Sequence, residues 1–293
     1  MSTQTAQFTA QRRAACPTHH RGIGEIGSLL GDPNEQIATL AMERIAHGDF
    51  TDEERQEFLR ENQDSDDMLM HKRIQQLSGA LKMQALQDEF VNSFDKPTKL
   101  GLIKSLILLD RIYNPKSSDE YLLQLMRELY VGFRQKQTLP PSKALVEYMG
   151  DCGITTAPLP WCSIGLFLLG DILENHIGIP HILTVIAHAI AQANGIPSRI
   201  TMFDGQLGVY FENGDWLCPI PKWQVKENMH PSKMHLCDPA SVLRVILAIL
   251  LANSAMLWNA YDVRLFSSLL ARLDHIDQHK MPYPYGDEFH PKS

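Results

Sequence analysis

LLGDILENHIGIPHILTVIAHAIAQANGIPSRITMFDGQLGVYFENGDWLCPIPKW, residues 168–223, changes part-way along from helical to twofold periodicity. Pro180 suits the first turn of a helix, where its missing N–H costs nothing. Ile182, Val185, Ile186, Ala189, Ile190 and Ala193 then recur at helical spacing. Asn194-Gly195 supplies a stop, with Pro197 just beyond. From Ser198 the period shifts toward two, giving strands over 199–203, 207–211 and 215–218. Asn213-Gly214 between the last two is a hairpin signal, because both residues tolerate positive φ. The expectation is an α+β, predominantly helical fold, with a small antiparallel sheet packed on the helix from about His181 to Ala193.

The front of the chain reads as helices. Asp32 can cap and Pro33 can start one that carries Ile37, Leu40, Ala41 and Ile45. Thr51 with Glu54 three residues on is a capping box for the next. A long helix runs from the Asp64–Asp67 cap region to about Phe94, with Met68, Ile74, Leu77, Leu81, Leu86 and Phe90 available for its apolar stripe. Further helices are read over 99–113, 119–136, 143–149 and 162–173. Residues 222–238 read as polar loop, followed by helices over 241–258 and 262–276. The resulting division is a mobile segment 1–22, a helical region 23–137, a core region with two C-terminal helices 138–276, and a tail 277–293. The Thr138–Ser142 stretch is the boundary signal.

The 293 residues, 44% of them hydrophobic, can bury a sizeable core. A net charge of −7 argues against a broad nucleic-acid surface, so no nucleic acid is expected among the partners. Cys16, Cys152, Cys162, Cys218 and Cys237 are odd in number and include no CxxC pair, which predicts neither a disulfide framework nor a zinc knuckle. A reducing, cytoplasmic setting follows as the expectation. Val242 to Trp258 is interrupted by Arg244 and Asn253 and is read as a buried helix, so no membrane span is expected.

The 168–223 stretch resembles the core of the transglutaminase-like superfamily, and within it the SirB-type branch of bacterial proteins. The resemblance rests on Gly178-Ile179-Pro180-His181-Ile182-Leu183, Asn194-Gly195-Ile196-Pro197, Phe203-Asp204-Gly205-Gln206-Leu207 and Leu217-Cys218-Pro219-Ile220. It implies a papain-like arrangement with a nucleophile at the helix start and its partners on the strands. In this chain Ile182 stands at the nucleophile position, Gln206 at the His and Cys218 at the Asp. Isoleucine has no nucleophilic atom, and a glutamine amide takes up no proton near neutral pH. The resemblance thus implies a degenerate member, with no covalent acyl-enzyme.

Other residues could carry chemistry. Cys152 or Cys162 with His181 or His188 would make a relocated thiolate–imidazole pair, and hence an active thiol-dependent amide hydrolase or acyltransferase. The competing reading is that each Cys is a small buried hydrophobe and each His a satisfied structural residue. His181 and His188 lie two helical turns apart, too far for the usual two-His metal bite, and no third ligand is evident. No metal and no cofactor is expected. The reading that accounts for both scaffold and vacant positions is a protein-binding, regulatory or scaffolding module. Its partner is another protein or a second copy of the chain, and a structural subunit of an assembly is the third reading. The surfaces proposed for contact are a groove around His181, Gln206 and Trp216, and apolar helix surface near Leu250–Trp258. Trp216, Trp223 and Trp258 are the possible anchors.

Overall fold

The computed structural model describes residues 19–93, 101–134, 139–161, 163–220 and 222–277. The chain divides into two compact units between Ala85 and Leu86, within one long helix.

The first unit holds α1 (His19–Ser28), α2 (Glu35–His47), α3 (Asp52–Asn62) and most of α4 (Met68–Asn92). Its core is Ile23, Leu30, Ala41, Ile45, Phe58, Ile74 and Leu77. The cap of α2 is Asn34, not Asp32: the Asn34 side chain accepts from Gln36 N at 3.0 Å, while Asp32 braces Asn34 N at 2.7 Å. Packing turns Ala38, Ala41, Ile45 and Ala46 inward and leaves Leu40, expected on the apolar stripe, exposed. At α3 the Thr51–Glu54 capping box forms with both bonds present. Arg73 of α4 is buried, and its guanidinium is satisfied by Leu30 O, Asp32 O and Glu35. That bonding is what lets a cation sit inside this unit. Met68, expected on the buried stripe of α4, is exposed because the helix begins there, ahead of the residues that pack.

The second unit adds α5 (Gly101–Tyr113), α6 (Asp119–Arg134) and α7 (Pro141–Asp151). A two-residue parallel pair follows, β1 (Thr155–Thr156) on β2 (Ile177–Gly178), with α8 (Leu169–Asn175) between them. The helix expected over 162–173 is broken: Leu168 is extended, separating a 3₁₀ turn at Ile164–Phe167 from α8. The centre is α9 (Pro180–Ala193), and nine of its side chains are buried. Its sheet contains β3 (Ser198–Phe203), β4 (Gln206–Phe211), β5 (Trp216–Cys218), β6 (Gln224–Lys226) and β7 (His235–Leu236), ordered β6-β5-β4-β3-β7 and antiparallel throughout. The expected α+β, mainly helical class with a small antiparallel sheet on one apolar helix is what forms. The supposed loop 222–238 instead contributes both edge strands.

Turn chemistry sets the sheet register. Asp204-Gly205 joins β3 to β4 with both residues at positive φ, the two-residue hairpin geometry. At Asn213-Gly214 the hairpin also forms, but only Gly214 takes positive φ. Asn213 acts through its side chain, accepting from Asp215 N at 3.1 Å and donating to the Asp215 carboxylate at 2.9 Å. Two faces result. Ser198, Ile200, Leu207, Val209, Phe211 and Leu217 share the face that α9 covers; Thr201, Phe203, Gln206, Gly208, Tyr210, Trp216, Cys218 and Lys226 share the other.

The unit closes with α10 (Pro239–Met256) and α11 (Ala260–Leu273), an antiparallel hairpin whose far ends are tied by Arg244–Asp274 at 2.6 Å. By length and composition α10 alone among the described residues could cross a membrane. Val242, Leu243, Ile246, Leu247 and Leu250 on it are buried within the protein.

Candidate functional site

Pro180 is the first residue of α9, and no side chain caps that helix start. Ile182 follows, fully buried. Thr184 ties this end of the helix to the sheet, its hydroxyl lying 2.9 Å from Pro180 O and 3.3 Å from Leu207 O. His181 stands edge-on to the Trp161 ring with centroids 6.1 Å apart. Its buried Nδ1 has no hydrogen-bond partner among the described residues, and burial pushes its pKa down to about 4. At neutral pH it is an uncharged ring packed on an aromatic neighbour.

Gln206 and Cys218 meet. The Cys218 thiol donates to Gln206 Oε1 at 3.3 Å across β4 and β5. Cys218 is buried, and that burial pushes its thiol pKa up, so the nucleophilic thiolate is disfavoured. Alternation places this pair on the sheet face opposite α9. Ile182 lies on the helix behind the sheet, so two of the three expected positions are brought together and the third is on the other face.

The relocated Cys–His pair does not assemble from the described residues. Cys152 ends α7, where its N–H bonds back to Tyr148 O at 2.9 Å and its thiol lies beside the Tyr148 hydroxyl. Cys162 lies outside the described residues. His188 turns instead to Ser198, its Nδ1 3.0 Å from Oγ, while Gln192 Nε2 donates to Ser198 O at 2.9 Å. Burial pushes the His188 pKa down to about 4 as well. The arrangement secures the start of β3 to α9.

The expected tryptophan anchors divide three ways. Trp216 is fully buried and corrects the expectation of a surface anchor: its ring lies over Gly208, its Nε1 donates to Thr201 Oγ1 at 3.1 Å, and Phe203 stands edge-on at 5.5 Å. Lys226 Nζ covers it at 5.3 Å from the ring centroid. Trp223 is half-buried and donates to Ile154 O at 2.7 Å. Trp258 is 91% exposed.

The concave surface lies elsewhere than expected. A cleft of about 610 Å³ opens beside β3, where β7 stops after pairing only Thr201 and Met202. Its walls include Ile196, Pro197, Met234 and Leu236, and Arg199, Tyr210 and Glu212 give it polar groups. In the β3–β4 register Arg199 faces Tyr210, so Glu212 is its diagonal neighbour. The sequence signal was present in Gly195-Ile196-Pro197-Ser198-Arg199. What it lacked was the strap 229–236, which is fastened by the Tyr210 hydroxyl to Met229 O at 3.5 Å and forms the other wall.

No family model matches the chain, and neither a curated protein nor a solved structure matches it. Among the described residues no group of three or more His, Cys, Asp and Glu side chains is arranged to hold a metal ion.

Proposed function

We propose that the protein works by non-covalent association with another protein, and that α9 with its sheet is a catalytically degenerate transglutaminase-like core. The ancestry reading rests on the resemblance of residues 168–223 in sequence alone, since Ile182 on α9 lies on the other side of the sheet from Gln206 and Cys218. The loss of chemistry is supported by the side chains at the three positions. Ile182 offers no reactive atom, Gln206 no base, and Cys218 a buried thiol held in its neutral form.

The observation that carries the binding role is the cleft beside β3. Its volume of about 610 Å³ is in the range of recognition sites, and it combines aliphatic walls with an Arg and a Glu. The occupant it fits is a peptide segment of a protein partner. An apolar side chain would lie against Ile196, Pro197, Met234 and Leu236, and flanking charges would meet Arg199 and Glu212. A thiol-dependent activity has no such observation in its favour.

Arg199→Glu tests this, because Arg199 is exposed and its replacement leaves the core intact. Partner capture should fall at least tenfold for this variant and stay unchanged for Lys82→Glu, an exposed position in the first unit. Equal capture by both variants and the wild type sinks the proposal.

A further inference from the structure

The α10–α11 turn exposes six consecutive residues, Met256-Leu257-Trp258-Asn259-Ala260-Tyr261. Met256 is 70% exposed, Leu257 52%, Trp258 91% and Tyr261 65%. Water around four large apolar side chains in one place is unfavourable, and this protein holds them there by its backbone. Trp258 sits at φ 53°, in the left-handed region. It is the residue after the cap in a Schellman turn, with Asn259 N bonded to Ser254 O at 3.0 Å and Trp258 N to Ala255 O at 3.2 Å. Glycine is the usual occupant of that position.

The surrounding sequence states what the tip can meet. From Val245 to Tyr261 there is no Asp, Glu, Lys, Arg or His. The first acidic residue after it, Asp262, is buried and accepts from Asn259 Nδ2 at 2.7 Å. Six residues at the end of a two-helix hairpin fall far short of the roughly 20–30 residues a side, or about 800 Å² per partner, that a stable protein interface needs. Trp and Tyr are the side chains that settle at the level of lipid headgroups, and Met and Leu beside them can enter the acyl region. One face of α10, Val242, Leu243, Ile246, Leu247 and Leu250, is buried in protein, so the helix is not free to span and the geometry is insertion of its tip at the interface. The net charge of −7 disfavours an anionic surface.

We propose that the Met256–Tyr261 tip is an interfacial anchor for a zwitterionic lipid surface. This feature is separate from the cleft beside β3, so Arg199→Glu should leave it intact.

Phosphatidylcholine vesicles are the probe, with the full chain and two variants, Trp258→Gly and Leu257→Asp, both altered at exposed positions. The wild type should co-sediment with vesicles to the same extent at low and high salt. Its tryptophan emission should shift to the blue and be quenched by brominated phosphatidylcholine. Each variant should lose about tenfold or more in partitioning, with unchanged circular dichroism. Absence of a vesicle-bound fraction for the wild type overturns the proposal. So does binding confined to anionic vesicles, binding that both variants retain, or a lipid-free dimer that the two substitutions dissolve. The last result would assign the tip to a protein contact.

Discussion

Replacing Trp258 by Gly should make the fold slightly more stable while removing the most exposed aromatic ring among the described residues. An L-residue in the left-handed region costs about 1–2 kcal/mol, which Gly does not incur. Against that stands the greater freedom of Gly in the unfolded chain, roughly 0.5–1 kcal/mol. The ring itself is 91% exposed, so the packing lost is only a few tenths of the roughly 3 kcal/mol of a fully buried side chain. The balance is a gain of about 0.5 kcal/mol. With a urea slope near 2 kcal/mol/M, the midpoint followed by circular dichroism should rise by about 0.25 M. A loss of more than about 1 kcal/mol would instead mean that the ring packs against part of the chain. Together with the lipid experiment, this variant separates stability from surface function: one should rise slightly as the other is lost.

Two further predictions concern the sheet and α9. A methyl group on Gly208 would lie 2.5 Å from Leu217 O and 2.5 Å from Trp216 Cε2, so Gly208→Ala should cost about 2–3 kcal/mol in denaturant unfolding and alter the near-ultraviolet signal of Trp216; a loss below about 0.5 kcal/mol contradicts that packing. For the histidines, burial lowers the folded-state pKa of His181 and His188 to about 4 from 6.5, so the unfolded chain binds these protons more readily. Stability from the neutral rings is fully present above pH 6.5 and is lost as pH falls toward 4, by roughly 2–3 kcal/mol per ring. His188→Gln should remove about half of that pH dependence, and equal slopes for variant and wild type would contradict it.

The centre of the fold was legible because its signals are local. Pro180 and Asn194-Gly195 bracket α9, and twofold alternation marks β3, β4 and β5. The edge strands β6 and β7 were not legible, since three and two residues carry no period and are held by pairing with distant strands. The same limit applies to the site. Sequence places Gln206 and Cys218 twelve residues apart; only the β4–β5 register puts them in contact, and only alternation puts them on the face away from Ile182. Trp216 read as an anchor because nothing local shows that Gly208 leaves a space for its ring. Trp258, read as part of a buried helix, is exposed because α10 ends at Met256 and leaves it in the turn between two helices. The cleft escaped because its walls come from residues 192–212 and 231–236, joined by a strap that has no pattern of its own.

The most direct test of the binding account is a photo-crosslinking comparison between two positions. One photoreactive residue replaces Leu236, which is 56% exposed and lines the cleft; the other replaces Asp204, in the exposed turn before Gln206. The account predicts a discrete crosslinked partner from position 236 that Arg199→Glu abolishes, and none from position 204. A partner captured equally from 204, or one from 236 that survives Arg199→Glu, would contradict the assignment of recognition to the cleft beside β3.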